Sequence, residues 1–264
     1  MNRVSAYLGD YTYLSQLAHG PKIFLDTREL SMTAHIISDG FWESWITDVF
    51  LQSIHKGMSV LDIGANCGYY SLLAASVVGP TGQVHAFEPN PFHHINLNKS
   101  KMINGFYHLD IHPHALSNEN GEMDLFVPKN LTASASLFGN LIKPIEKIDT
   151  IEAVPVTTVK LSEYLPNVKA NVIKMDIEGA EPLILDDVLD IMDRTGDSTL
   201  IMEYNQKAWE MQDFDYEKIM NNVDKRGFNI HIIQHDRTLQ PVSPKELIKA
   251  VGPHTHFDLF ITRK

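Results

Sequence analysis

From Met58 onward, short apolar runs alternate with segments whose apolar residues recur at helical spacing. Val60 to Ile63 is a brief apolar run, interrupted by Asp62, that enters a glycine turn; Tyr70 to Val78 follows as a predicted helix. Gly79-Pro80 and Gly82 punctuate the chain before a second predicted strand, Val84 to Glu88. Pro91 suits the first turn of a helix reaching about Ile103. Leu109 to Leu116 reads as a third strand and Glu122 to Val127 as an extra one, whereas residues 128–152 are polar and loop-like. Val154 to Val159 predicts a further strand and Leu161 to Leu165 a helical turn. Val172 to Asp176 and Thr199 to Tyr204 are predicted buried strands around a helix over Glu181 to Met192. A helix over Tyr216 to Arg226 leads to a strand at Phe228 to Ile233, and His256 to Thr262 closes the series. This alternation predicts a doubly wound, mostly parallel α/β sheet with ligands at the C-terminal ends of its strands. No helix is evident between the last two strands, so an antiparallel edge is expected.

Residues before Met58 differ. Lys22 to Asp26 and Thr33 to Ser38 read as short strands, and Glu43 to Ile54 places Trp45, Ile46, Val49, Phe50 and Ile54 on one helical face before Gly57. Residues 1–57 are therefore expected to form an N-terminal extension, a lid over the cleft or an oligomer contact, with residues 58–264 as the main domain. Tyr7, Tyr11, Tyr13, Trp42 and Trp45 are candidates either for an acceptor pocket or for packing.

Composition narrows the function. The 264 residues are 44% hydrophobic and 21% charged, ordinary globular values. There is no run of ~20 apolar residues, so no membrane span is expected, and the N-terminus lacks the basic start and apolar core of a secretory signal. With 22 basic and 33 acidic residues the net charge is −11, and no lysine or arginine block stands out. A nucleic-acid substrate is thus not expected. Cys67 is the single cysteine, which excludes an internal disulfide and a multi-cysteine zinc site and fits a cytoplasmic location. The 13 histidines include His93-His94, His112/His114, His231/His235 and His254/His256, but no HExxH helix, and they read as scattered structural residues.

The informative stretch is Val60-Leu-Asp-Ile-Gly-Ala-Asn-Cys-Gly-Tyr-Tyr-Ser71. Gly64 permits a tight turn off the strand, and Gly68 keeps a side chain away from a ligand at the helix start. A dinucleotide fingerprint would need glycine where Asn66 and Tyr69 stand, and no Gly-Lys-Ser/Thr follows a glycine loop. Asp62 is expected in the mouth of the turn, hostile to a pyrophosphate and suited to a cation. Glu88, twenty residues past Gly68, can accept hydrogen bonds from both hydroxyls of a ribose. The pair describes a pocket for a nucleoside carrying an ammonium or sulfonium.

These residues, with Ala86-Phe-Glu-Pro-Asn-Pro91, Ala115-Leu-Ser117 and Ile173-Lys-Met-Asp-Ile-Glu-Gly-Ala-Glu181, resemble the FkbM family of class I S-adenosyl-L-methionine (SAM)-dependent methyltransferases. The likeness covers about residues 58–205. It implies a seven-stranded Rossmann-like fold and methyl transfer to a hydroxyl, usually of a sugar or secondary metabolite. It also implies that Asp62, Gly64, Ala65, Asn66 and Gly68 surround the methionine end of the donor. Glu88 would hold the ribose, with Pro89 and Asn90 beside the adenosine and Ala115 and Leu116 flanking the adenine. Glu43 is a further candidate donor contact.

Val172 to Asp176 is expected at the centre of the sheet, where a lysine is costly unless paired; Lys174 and Asp176 share a face and can pair. Asp176 ends the strand, where the donor's methyl would point, with Glu178 further out and Glu181 as a helix-start acid. Glu203 and Asn205 close the next strand and border the same cleft. Asp176, Glu178 and Glu203 are the catalytic candidates, and Asp176 is also a candidate donor contact. Asp176, Glu203 and Asn205 are a candidate magnesium site. The leading reading is an O-methyltransferase acting on a small-molecule or glycan hydroxyl. The alternatives are a nicotinamide-dependent oxidoreductase, opposed by the missing glycines, and a non-catalytic nucleoside- or glycan-binding module.

Overall fold

A computed structural model describes residues 3–250 and 256–263. The chain opens with an antiparallel meander of β1 (Ser5–Gly9), β2 (Thr12–Gln16) and β3 (Lys22–Asp26), followed by helices Met32–Ser38 and Ser44–Ser53. The first two strands were not expected, and the strand expected at Thr33 to Ser38 is helical. Glu29 explains the difference: its carboxylate accepts from the backbone N–H groups of Ser31 and Thr33, both at 2.7 Å, and so secures a helix start. That helix buries Met32, Thr33 and Ile36 on one face.

The main sheet begins with β4 (Ser59–Ile63), β5 (Gln83–Phe87) and β6 (Leu109–His112). Next come β7 (Ala115–Leu116), β8 (Gly121–Pro128) and β9 (Ile151–Val159), which form a separate sheet in the order β7-β9-β8. The main sheet resumes with β10 (Val172–Met175), β11 (Thr199–Tyr204), β12 (Phe228–Ile233), β13 (Leu239–Pro241) and β14 (Phe257–Arg263). Its eight strands lie in the order β13-β12-β14-β11-β10-β4-β5-β6. The strands from β6 to β11 in that order are mutually parallel, and β14 runs antiparallel to both β11 and β12. This is the expected Rossmann-like, mostly parallel sheet with an antiparallel C-terminal strand, extended by the short edge strand β13.

Three expectations need correction. The antiparallel strand is not an edge, because β14 inserts between β11 and β12, and the preceding connection contains β13 and helix Pro244–Ala250. The strand expected over Leu109 to Leu116 breaks at Pro113-His114, where the missing N–H of proline ends the ladder and the chain leaves for the second sheet. The helix expected from Glu181 is a 3-10 turn, Glu181–Leu183, before an α-helix at Leu185–Thr195.

β4 and β10 are buried along nearly their whole length, as parallel strands covered on both faces must be. Leu61, Ile63, Ile173 and Met175 face the helix Leu185–Thr195, whereas Val60 and Val172 face the nearly all-buried helix Tyr69–Val78. The second face also takes Ile23, Leu25, Ile36 and Phe50, so the N-terminal segment shares one core with the sheet. Register sets Lys174 beside Asp62 and Met175 beside Ile63, which brings the ends of β4 and β10 level. The chain leaves β4 toward β5 on one side and returns as β10 on the other. A crevice opens at this switch point. Among the described residues no helix is long and apolar enough to cross a membrane.

Candidate active site

The turn after β4 is built for close approach. Gly64 has φ +85°, and a Cβ there would lie 1.9 Å from the Asp176 carbonyl oxygen. The backbone N–H groups of Gly64 and Ala65 both donate to Phe87 O, at 3.0 and 2.9 Å, which ties the turn to β5. Gly68 has φ +89°, and a Cβ there would strike the Leu97 side chain, so this glycine admits the neighbouring helix Pro91–Asn104 and not a ligand. Asp62 is 1% exposed and lines neither cavity described below. It accepts from the Ser71 hydroxyl and lies beside Lys174, and burial pushes its carboxyl up to about 6. The expected carboxylate in the mouth of the turn is therefore one layer beneath it.

On the β5 side, Glu88 accepts from Asn66 N at 2.6 Å and Asn90 N at 2.8 Å. Burial pushes its carboxyl up to about 7. Asn90 in turn caps helix Pro91–Asn104 by accepting from Phe92 N at 3.1 Å. Gly64, Asn66, Glu88, Pro89, Ala115 and Leu116 line one cavity, together with apolar Ile63, Phe87, Leu125 and Leu137. Two polar atoms in its wall, His114 Nδ1 and Thr132 Oγ1, are buried without a hydrogen-bond partner. An apolar slot with unmet polar groups suits a flat heterocycle with a polar edge. A nucleoside fits these residues.

A second cavity shares Gly64, Asn66, Ala133, Asp176 and Glu178 with the first. Its remaining wall includes Trp42, Glu43, Ala65, Tyr69, Tyr70, Lys174, Glu203, Asn205, His256 and Asp258. Lys174 is 1% exposed, with Nζ 3.0 Å from Asp176 Oδ2 and 5.2 Å from the Tyr70 ring centre. Burial alone would lower its ammonium pKa, but Asp176, Glu43 and Asp258 hold it above its ordinary value. Burial, then Asp176, pushes Glu43 up to about 8, and the same causes raise Glu178 and Glu203 well above the carboxylate range. Glu43 (φ +39°) and Glu178 (φ +52°) both sit in left-handed backbone, a strained conformation for such residues.

The candidate magnesium ligands Asp176, Glu203 and Asn205 line the same cavity, but two are engaged elsewhere. Asn205 Oδ1 accepts from Ala208 N at 3.0 Å and Asp176 pairs with Lys174. Among the described residues no group of three or more His, Cys, Asp or Glu side chains could hold a metal ion. This applies also to the histidine pairs, of which His254 lies outside the described residues. Of the aromatic candidates, Trp42 reaches the cavity, Trp45 packs on His235 with ring centres 4.3 Å apart, and Tyr7 and Tyr11 are exposed.

Among the cavity residues that sequence reasoning did not assign to the site are His114, Thr132, Tyr70 and Asp258. Asp258 reaches the cavity because β14 pairs it with Glu203. Sequence reasoning also underrated Glu181. This fully buried acid accepts from Ile177 N at 3.0 Å and Gly179 N at 3.4 Å with one oxygen, and from Trp209 Nε1 at 3.1 Å with the other. Ser136 Oγ adds a bond to Glu178 O at 2.8 Å. Glu181 thus holds the loop that carries Asp176 and Glu178. Glu181→Gln must turn an amide N–H toward donors, so turnover is expected to fall ~10- to 10²-fold through misplacement, with donor affinity little changed. Equal losses of donor affinity and turnover would contradict this positioning role.

A 41-residue segment is 42% identical to the protein-L-isoaspartate O-methyltransferase of Methanothrix thermoacetophila, covering 16% of this chain and 20% of that protein. A SAM-dependent O-methyltransferase from Thermotoga maritima superposes with a TM-score of 0.48 at 13% identity, over 99% of this chain and 85% of that one. An rRNA methylase from Streptococcus thermophilus gives 0.47 at 12% identity, over 82% and 92% respectively. Residues 62–230 match the Methyltransferase FkbM domain, well over half of the chain. This match identifies the chain as a member of the FkbM family of SAM-dependent methyltransferases.

Proposed function

We propose that the protein transfers a methyl group to a hydroxyl oxygen of a small acceptor, a sugar, glycan or secondary metabolite. The observation that carries this reading is the junction of two cavities at Gly64, Asn66, Asp176 and Glu178. The first would take the adenosine of the donor, with the ribose on Glu88 and the base between Ala115, Leu116 and Thr132. The second would take the acceptor, and residues 1–57 would roof it through Trp42 and Glu43.

SAM supplies a methyl already activated on a sulfonium, so the chain's task is alignment, exclusion of water and management of one proton. Asp176, anchored by Lys174, stands at the junction and would accept the acceptor hydroxyl's proton as its oxygen bonds to carbon. Glu178 and Glu203 stand nearby as acids that burial and Asp176 hold toward their neutral forms, which leaves Asp176 as the acceptor of that proton. Asp62, Gly64, Ala65, Asn66 and Gly68 shape the turn, and Glu43 would meet the cationic end of the donor.

The test is binding followed by transfer. S-adenosylhomocysteine at a hundred times its Kd is expected to raise Tm by roughly 5–10 °C, whereas NAD should not. Transfer to a hydroxylated acceptor library should proceed unchanged in EDTA. No shift with S-adenosylhomocysteine, or EDTA inhibition reversed by magnesium, would count against this reading.

A further inference from the structure

The second cavity gathers more carboxyl groups than the methyl donor can use. Glu43, Asp176, Glu178, Glu203 and Asp258 line it, with Lys174 and His256 as the cationic side chains. The donor's sulfonium, ammonium and carboxylate sum to a single positive charge. Burial holds Glu43, Glu178 and Glu203 toward their neutral forms in the empty protein, and an entering cation would pair with their ionised forms and offset that cost. A phosphorylated or carboxylated acceptor would bring a further anion beside these acids, and like charges at such range are costly in a partly buried site.

Independent of charge, two polar atoms of this wall lack partners. Tyr70 is 8% exposed, and its hydroxyl makes no well-formed hydrogen bond. The nearby Thr47 hydroxyl donates to Trp42 O at 2.7 Å and meets Tyr69 Oη at 3.1 Å, and leaves Tyr70 without a well-aligned bond. Glu203 Oε2 is likewise buried and unbonded, with Asp258 paired beside it across the β11–β14 ladder. Buried polar atoms of a native fold ordinarily find partners, so these two point to a ligand. Trp42, Tyr69 and Tyr70 add aromatic wall, the usual complement to carboxylates around an organic cation.

We infer that the acceptor is a hydroxylated molecule bearing a protonated amine, of the amino-sugar or amino-alcohol class, with its ammonium at Glu203 and Asp258 and its reacting hydroxyl at Asp176. The inference rests on the proposed methyl transfer and names its substrate class. The ammonium nitrogen has no lone pair, so it anchors and does not react. The hydroxyl oxygen forms the new C–O bond while the C–S bond breaks, its electron pair stays on sulfur, and the hydroxyl proton passes to a carboxylate. A divalent metal is the rival occupant for such acids, but no cluster among the described residues suits one.

The experiment titrates glucosamine, glucose and glucose 6-phosphate into the full chain saturated with S-adenosylhomocysteine, read by ligand-observed NMR. Glucosamine is expected to bind about tenfold tighter than glucose or better, the worth of one charge-assisted hydrogen bond, and glucose 6-phosphate more weakly than either. The preference should shrink to below about threefold in Asp258→Asn, or in Glu203→Gln if the first variant does not fold. Equal binding of glucose and glucosamine, a preference for the phosphate, or no binding of any probe would overturn the inference. So would calorimetric saturation of the cavity by magnesium chloride alone at submillimolar concentration. Failure of S-adenosylhomocysteine to bind would instead remove the methyl-transfer reading beneath it.

Discussion

Asp176→Asn is expected to lower turnover by ~10²–10⁴ while donor affinity changes only a few-fold, because the substitution keeps shape and removes the charge that takes or orients the acceptor's proton. The side chain follows β10, is 38% exposed, and opens on both cavities while Lys174 holds one of its oxygens at 3.0 Å. Asparagine can still accept a hydrogen bond from Lys174, so the fold should persist. Single-turnover kinetics with bound donor separate the chemical step from binding. A variant that turns over normally would take Asp176 out of the chemistry and leave Glu178, the other acid lining both cavities, as the candidate.

Glu88→Ala should weaken donor binding by ~1.5–3 kcal/mol, roughly ten- to more than a hundredfold, through loss of charge-assisted hydrogen bonds to the ribose. Its pH dependence has a definite sign. Burial pushes this carboxyl up to about 7, so in the empty protein it is protonated below that pH. Ribose hydroxyls donate to the ionised form, so donor affinity should rise with pH through about 7 and then level off. Stability of the empty fold runs the other way. A folded pKa above the ordinary 4.5 favours the fold at low pH, and that contribution is lost as pH rises through about 7. Calorimetric titration of S-adenosylhomocysteine across pH 5.5–8.5 checks the first effect, and unfolding of the empty protein over the same range checks the second. Unchanged affinity in Glu88→Ala would assign the acid solely to bonding Asn66 N and Asn90 N.

What was legible in the chain was local. The turn at Gly64, the acid ending β5 and the Lys174–Asp176 pair each lie within a few residues of a strand end, where period-two patterning fixes the face. Long-range pairing was not legible. Asp258 reaches the acidic cavity only because β14 inserts beside β11, and nothing near residue 258 signals that choice. Asp62 was expected in the mouth of the turn, and its burial beneath it depends on alignment with Lys174 one strand away. Thr132 and His114 come from the break after β6 and from a segment read as loop. Their unmet hydrogen bonds emerge only in the folded cavity.

The most direct test of the central claim is a crystal structure with bound S-adenosylhomocysteine. The account predicts adenine between Leu116 and Thr132, the ribose hydroxyls on Glu88, and the sulfur at the junction of the two cavities facing Asp176. A sulfur turned away from Asp176, or a ligand bound outside the crevice between β4 and β10, would contradict it.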